Sequence, residues 1–390
     1  MARQARRFGY VNGTAFTHEP VERLAAELAS LGPKGLDKFY FLSSGSEAVE
    51  AALKLARQYW VESGKPEKHK IIALTPAYHG NTLLALSASA REHYKTFYKG
   101  WLVDVARVKA PYAYRCPCRG EGAQCPVCTG TALEEAILRE GPQNVAAFIA
   151  EPVGGSSTGA CVPRPEYFRR VREICDRHRV LFIADEVLTG AGRTGTWTAI
   201  EPYGVVPDIL TLGKGIAGGC APLSAVSVCE PILEVIARGS GAFLHAQTFS
   251  HNPVLCAAGL AAVTYIKSHG LIERCAKMGK ILHERLRPLL DLPHVGDVRG
   301  RGLLAGIEFV SDKETRAPFP RKLKFAESFT EAAQAAGLIV WPNTGQADGE
   351  NGDLVMLAPP FIVSERDIDE IVSLFKVAYE ATTRSLKAGV

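Results

Sequence analysis

Short apolar segments alternate with segments of helical periodicity from about residue 36 to residue 230. The apolar segments predict β-strands over residues 39–42, 70–74, 145–150, 180–184 and 209–212. Strands that are apolar on both faces are typical of a mostly parallel sheet covered by helices. Between them, apolar residues at helical spacing predict helices over residues 47–63 and 165–179. The alternation therefore predicts a doubly wound α/β fold, in which ligands bind at the carboxyl ends of the strands.

The pattern changes after about residue 290. A long helical stretch over residues 252–290 is followed by a turn and strand over 296–310, a helix over 321–336, short strands and a last helix over 365–386. This order predicts a smaller C-terminal α+β domain. The predicted units are an N-terminal segment over residues 1–25, a large domain over 26–290 and a small domain over 291–390.

Composition and charge narrow the class of protein. The 390 residues are 47% hydrophobic and 22% charged, as in an ordinary globular protein. A net charge of +4 gives no reason to expect nucleic acid or an anionic membrane as a partner. The basic residues 1–7 are not followed by an apolar export signal, and no apolar run approaches the length of a membrane span. The ten cysteines are therefore expected to stay reduced, which predicts a cytoplasmic protein.

Lys214 lies between two glycines, directly after the predicted strand at 209–212. A lysine amine that is partly shielded from water loses proton affinity and becomes a nucleophile toward carbonyl groups. Flanking glycines let a bulky ligand come close to the backbone. Taken alone, the same residues also fit a surface lysine in a glycine turn.

Other chemically suggestive residues follow the other predicted strands. Ser44 and Glu47 have capping-box spacing, and a helix that starts there offers backbone N–H groups to a phosphate. Tyr78 can stack on a planar ring, while Glu151 and Asp185 end apolar strands, where a carboxylate needs a partner. A carboxylate beside a pyridine nitrogen keeps that nitrogen protonated. Each residue also has a purely structural interpretation, but together with Lys214 they supply the parts that hold pyridoxal 5′-phosphate.

The chain resembles the class III (omega) aminotransferases, which are fold-type I pyridoxal-phosphate enzymes, from about Phe16 to the carboxyl terminus. The motifs that carry the resemblance are Ser44-Gly45-Ser46-Glu47-Ala48, Tyr78-His79-Gly80, Glu151-Pro152-Val153, Asp185-Glu186-Val187, Gly192-Arg193-Thr194-Gly195, Gly213-Lys214-Gly215, Thr248-Phe249-Ser250, Arg299-Gly300-Arg301-Gly302-Leu303 and Ala358-Pro359-Pro360. The resemblance implies that the large domain binds the cofactor.

The resemblance also implies the roles of individual residues. Lys214 forms the Schiff base and moves a proton, Asp185 pairs with the pyridine nitrogen, and Tyr78 stacks on the ring; these three form the catalytic set. Thr248 reaches the phosphate of the neighbouring subunit, which implies a homodimer. The implied cofactor-binding residues are Ser44, Gly45, Ser46, Tyr78, His79, Glu151, Asp185, Val187, Lys214 and Thr248, with Gly45 and Ser46 at the phosphate and Val187 on the second face of the ring.

The implied activity is ping-pong transamination from a primary amine or ω-amino acid to a keto acid. Relatives that use 2-oxoglutarate often carry an arginine just before Ala-Pro-Pro, where this chain has Met356, with no Arg or Lys at residues 338–364. A dicarboxylate acceptor would lack the arginine that binds its carboxylate, so we expect pyruvate as the acceptor. The segment before Phe16 is shorter than relatives usually carry. The alternatives are a racemase, aminomutase or decarboxylase on the same scaffold, or a truncated, impaired cofactor-binding subunit.

Four cysteines lie within thirteen residues, as Cys116-x-Cys118 and Cys125-x-x-Cys128. Four thiolates at this spacing suit zinc. Relatives often carry cysteines in this loop without a necessary metal. We therefore predict no metal site, and keep structural zinc at these residues as the less favoured alternative.

Overall fold

A seven-stranded sheet and a four-stranded sheet form the framework of the protein. The structure is a computed structural model and describes residues 1–116, 118 and 125–388, without the side chains of residues 387 and 388. Its strands are β1 (Lys38–Leu42), β2 (Lys70–Thr75), β3 (Ala106–Lys109), β4 (Val145–Ala150), β5 (Leu181–Glu186), β6 (Ile209–Leu212), β7 (Ser224–Val228), β8 (Val295–Arg301), β9 (Leu304–Phe309), β10 (Trp341–Thr344) and β11 (Asp353–Leu357).

Helices cover both faces of the large sheet and one face of the small one. They are α1 (Ala2–Arg7), α2 (Glu19–Leu31), α3 (Gly45–Glu62), α4 (Leu83–Ala88), α5 (Glu92–Lys95), α6 (Pro126–Thr129), α7 (Ala132–Glu140), α8 (Tyr167–His178), α9 (Glu230–Arg238), α10 (Pro253–Ser268), α11 (Leu271–Leu286), α12 (Phe325–Ala335) and α13 (Glu365–Ala388). No single described helix is long and apolar enough to cross a bilayer, although the consecutive helical segments Pro253–Ser268 and Leu271–Asp291, bent by 64°, meet that test as a pair.

The large sheet has the strand order β1-β7-β6-β5-β4-β2-β3. Strands β3, β2, β4, β5 and β6 are parallel, and β7 runs antiparallel to both β6 and β1. One face packs on helices α3 and α9, the other on α7 and α8 and, further along, on α2 and α10. The predicted doubly wound, mostly parallel sheet is confirmed. Its parallel strands end at one edge, where the loops that follow them meet.

Two strands of the large sheet were not predicted from the sequence. Strand β3 lies at the sheet edge and carries Arg107 and Lys109, so it lacks an apolar run. Strand β7 is fully buried but contains Ser224 and Ser227, whose hydroxyls donate to the carbonyls of Ser44 and Leu36. Buried serines that are satisfied in this way hide a strand from a hydrophobicity pattern.

The small sheet, in the order β10-β11-β9-β8, is antiparallel throughout. It packs on helices α11, α12 and α13, and a cluster of phenylalanines fills the core between them: Phe309, Phe319, Phe325, Phe329 and Phe375. The smaller α+β part predicted at the carboxyl end is confirmed. The boundary at residue 291 stays a prediction. The helical stretch predicted at 252–290 is two helices, separated by Gly270 at φ +57°.

Candidate active site

A cavity of about 610 Å³ opens at the carboxyl ends of β2, β4, β5 and β6, with the small sheet as its other wall. Helix α3, which begins after β1, contributes its amino terminus. The cavity is lined by Gly45, Ser46, Tyr78, His79, Gly80, Arg91, Tyr94, Glu151, Ser156, Asp185, Val187, Leu188, Lys214, Leu304, Ile339, Val340, Trp341, Met356 and Ala358. A pocket of this size and mixed lining suits a small cofactor together with its substrate.

Lys214 follows β6 and opens a short 3₁₀ helix, Lys214–Ala217. Its side chain is exposed into the cavity, where protein surrounds it on several sides. This desolvation lowers the pKa of the ammonium group, and the nearby carboxylates of Asp185 and Glu151 offset part of the effect. A lysine with a lowered pKa holds more of its amine in the free, nucleophilic form near neutral pH.

Asp185 lies at the end of β5 and is only 5% exposed. Its Oδ1 accepts hydrogen bonds from Thr211 Oγ1 and the backbone N–H of Val187, each at 3.1 Å. Its Oδ2 lies 2.7 Å from Nδ1 of His79, which donates because a carboxylate only accepts. Three donors therefore fix the orientation of this carboxylate. The other ring nitrogen of His79, Nε2, is buried and has no hydrogen-bond partner.

The first turn of helix α3 lies close to the segments that follow β2 and β5. Ser44 is the N-cap residue, and its Oγ accepts from the backbone N–H of Glu47 at 3.2 Å, as the capping-box spacing predicts. Gly45 faces Val187 so closely that a Cβ atom would lie 2.5 Å from the valine Cγ1. Ser46 Oγ accepts from Asn81 N at 3.0 Å, which ties the helix to the loop after β2. The unpaired N–H groups of this first helical turn are available to an anion.

Tyr78 and Glu151 come from neighbouring strands and hold each other in place. Glu151 Oε2 accepts from the backbone N–H of Tyr78 at 3.2 Å, and its Oε1 accepts from Gly155 N at 3.0 Å. Burial raises the pKa of Glu151 above its usual value. The partners of Glu151, which the sequence leaves open, are therefore two backbone amides.

Thr248 lies apart from the other predicted site residues. It is exposed, in the turn that precedes helix α10, and does not line the cavity. Its predicted role toward a neighbouring subunit stays a prediction. Ser44 also does not line the cavity, because its side chain caps helix α3.

Comparison with known proteins identifies the family. The model of the family described as "Aminotransferase class-III" matches residues 1–379. The chain belongs to the class III aminotransferases. It is 40% identical to an uncharacterized aminotransferase of Schizosaccharomyces pombe, over 99% of this chain and 85% of that protein. A putrescine–pyruvate aminotransferase of Pseudomonas aeruginosa is 34% identical, over 95% of this chain and 79% of that protein.

The fold of this class III aminotransferase matches solved transaminases. The crystal structure of the omega transaminase from Pseudomonas jessenii in complex with PMP superposes with a TM-score of 0.91. It is 32% identical, and the match covers all of this chain (100%) and 85% of that one. The predicted family and its fold-type I architecture are thereby confirmed.

Class III aminotransferases use pyridoxal phosphate, and the residues in the cavity fit this group. The amino terminus of α3 offers N–H groups for a phosphate, and Gly45 leaves the space that a Cβ atom would fill. Asp185 presents a fixed carboxylate suited to a protonated ring nitrogen, and Tyr78 and Val187 are candidates for the two faces of the ring. Lys214, which lines the same cavity, is the candidate for the amine that this cofactor requires.

Arg91 is a cavity residue that the sequence analysis missed. Its guanidinium donates to Ser156 Oγ at 3.2 Å and to Oδ1 of Asn343, and it lies 4.8 Å from the ring centre of Tyr94. Burial lowers its pKa. Among the described salt bridges none involves Arg91, so no carboxylate of the described residues forms a direct ion pair with its guanidinium. Arg91 belongs to no motif, and only its tertiary position distinguishes it from other arginines.

Proposed function

We propose that this class III aminotransferase transfers the amino group of a primary amine or ω-amino acid to a small monocarboxylic keto acid, with pyruvate as the preferred acceptor. The observation that carries the proposal is the meeting of Lys214, Asp185 and Tyr78 in one cavity with one neighbouring arginine, Arg91. The enzyme class itself is established by the family.

We propose that Lys214 is the proton-transferring residue. When bound, pyridoxal phosphate supplies an electron sink that stabilises negative charge on the amine-bearing carbon. The lowered pKa of Lys214 favours a free amine, which accepts the proton from that carbon. Asp185, oriented by His79 and Thr211, would pair with the ring nitrogen and keep it protonated. Tyr78, anchored through its backbone by Glu151, would stack on one face of the ring.

The charge distribution of the cavity supports a monocarboxylate acceptor. Besides Lys214, Arg91 is the single lysine or arginine among the described residues that line it. The opposite wall, from the small sheet, presents apolar Trp341 and Met356. One guanidinium binds one carboxylate, and a second carboxylate would face apolar surface. The relative named putrescine–pyruvate aminotransferase is consistent with this choice.

We also propose that the working unit is a cytoplasmic homodimer. Exposed Thr248 is followed by Phe249, which is 57% exposed, and Trp101 and Phe97 are 73% and 89% exposed. Large apolar side chains on a surface mark an interface. In the proposed dimer, Thr248 of one subunit reaches toward the cavity of the other.

The test is turnover of purified protein with a panel of primary amines, with pyruvate or 2-oxoglutarate as acceptor. We expect amine-dependent conversion of pyruvate to alanine that is absent in Lys214→Ala, and peptide mapping after borohydride reduction should find the cofactor on Lys214. Faster turnover with 2-oxoglutarate would contradict the acceptor proposal. With one amine and no keto acid, a transaminase stops after a single turnover, whereas continued turnover would indicate a racemase, aminomutase or decarboxylase.

A further inference from the structure

Four cysteine sulfurs meet outside the active-site cavity. The Sγ atom of Cys116 lies 3.1 Å from that of Cys118 and 3.4 Å from that of Cys125, and Cys118 lies 3.5 Å from Cys128. All four sulfurs lie within 4.8 Å of one another. None of the four is in a disulfide, and the other six cysteines are not part of any such group within the described residues.

The spacing of these sulfurs matches tetrahedral coordination. With metal–sulfur bonds of about 2.3 Å, tetrahedral geometry places the sulfurs roughly 3.8 Å apart. The observed separations of 3.1 to 4.8 Å bracket that value. A disulfide would require about 2.04 Å. A polynuclear iron–sulfur cluster holds its cysteines further apart, because inorganic sulfide and several irons lie between them. The space between the four sulfurs therefore fits a single metal ion.

The sequence favours no metal site at these residues, but on this geometry we propose that Cys116, Cys118, Cys125 and Cys128 bind one structural zinc ion. Zinc in structural sites takes four thiolate ligands in a closed tetrahedral shell. Binding replaces the thiol protons, which are released to solvent, and involves no change of oxidation state. Cys116 and Cys128 are 7% and 1% exposed, and Cys118 and Cys125 are partly exposed, so the site is shielded but reachable from the surface.

The position of the cluster indicates what the ion stabilises. Cys116 comes directly after Arg115, whose Nε donates to Glu308 of β9 at 2.6 Å, and Cys125 caps helix α6. Cys116 also borders a second cavity that shares Arg91 with the active-site cavity. A zinc ion would tie Cys116 and Cys118 to the start of helix α6, next to the contact of Arg115 with the small sheet. Loss of zinc should therefore lower the stability of the protein. It should leave the residues that perform the reaction in place.

Metal analysis of the purified holoenzyme tests the proposal. The protein is produced without an affinity tag in zinc-containing medium and purified without chelator. We compare Cys125→Ser with Cys229→Ser: both cysteines are partly buried N-cap residues of helices with a proline in the first turn. Because serine is a good N-cap residue, neither change by itself disturbs helix capping. The expected zinc content is about one ion per chain in the wild type and in Cys229→Ser, and well below half in Cys125→Ser.

A second set of measurements detects the metal in the wild-type protein, so the test does not depend on whether a variant folds. Cobalt exchanged into the wild-type protein should give the visible bands of a tetrahedral cobalt thiolate, at longer wavelength than the cofactor's absorption. A strong chelator should release the zinc and lower the melting temperature of the wild type but not of a variant that is already zinc-free. The proposal is wrong if the wild type holds less than about a tenth of an equivalent of zinc, if it holds iron instead, or if thiol titration shows the four cysteines in disulfides. None of these readouts depends on which substrates the enzyme uses.

Discussion

Asp185 and Glu186 are adjacent on β5 and lie in opposite environments. Successive side chains of a strand point to opposite faces of the sheet. Asp185 faces the cavity, whereas Glu186 is fully buried and accepts from Ile200 N at 2.9 Å and from the hydroxyl of Thr189. Burial raises the pKa of Glu186 from 4.5 to about 7. At the residue scale, one carboxylate faces the cavity, and ionisation of its neighbour destabilises the fold.

Replacement of Glu186 by glutamine should change how stability depends on pH. Since the folded-state pKa is raised, ionisation destabilises the fold progressively from about pH 4.5 to about pH 7 and by a constant amount above that. The wild type should lose at most about 1.4 kcal/mol per pH unit in this window through Glu186. Urea unfolding at pH 5 to 8 should show Glu186→Gln gaining stability relative to the wild type as pH rises. Parallel pH profiles would contradict the prediction.

Arg91→Gln should weaken binding of the acceptor more than binding of an amine donor that lacks a carboxylate. A hydrogen-bonded charge of this kind is worth about 1.5–3 kcal/mol, so KM for pyruvate should rise about tenfold to a hundredfold. Steady-state kinetics with an amine that lacks a carboxylate measures this. Arg23→Gln, at an exposed arginine of α2, is the control. Equal loss for both substrates would assign Arg91 a purely structural role.

In helix α11, packing against a neighbouring turn outweighs the helix propensity of one residue. Gly279 lies in the middle of this helix, where alanine normally stabilises by about 1 kcal/mol. A Cβ atom at Gly279 would lie 2.5 Å from the backbone of Gly302, in the turn between β8 and β9. The glycine lets the helix backbone pack directly against that turn. The residue at position 279 is therefore determined by this contact and not by helix propensity.

Gly279→Ala should therefore destabilise the protein instead of stabilising it. Overpacking against backbone costs about 1–3 kcal/mol. Thermal or urea unfolding would measure the change, with Lys280→Ala at an exposed position of the same helix as control. An increase in stability for Gly279→Ala would show that the turn at Gly302 can move away at little cost.

At the scale of the whole molecule, a buried charge cluster joins the two sheets. Glu308 of β9 is fully buried and lies 2.6 Å from Arg115 Nε and 2.8 Å from Arg299 Nη2. The hydroxyl of Tyr112 also donates to Glu308. Tyr112 and Arg115 belong to the segment after β3 in the large sheet, while Arg299 lies on β8. The relative position of the two sheets, and hence the shape of the cavity between them, depends on this cluster.

Glu308→Gln should lower the free energy of unfolding by about 3–5 kcal/mol, because the largely buried Arg115 would lose the carboxylate that it pairs with, while Arg299 would retain Asp297. Glu234→Gln removes one side of an exposed ion pair with Arg238 and should change stability by less than about 1 kcal/mol. Urea unfolding of both variants, with cofactor bound, makes the comparison. Equal small effects would show that water or another group replaces Glu308 as partner.

The sequence by itself determined the local parts of this protein. Five strands, the capped start of α3 and the polar residues at the strand ends follow from periodicity and short motifs, since each depends on neighbouring residues. The tertiary structure alone decided which distant residues meet. Arg91 contacts Asn343 across 252 positions of sequence, and Glu308 holds Arg115 across 193. These contacts arise from strand order and sheet packing, and no local sequence pattern encodes them. Each contact joins two segments that are far apart in the sequence, and it forms only when both segments are folded against each other.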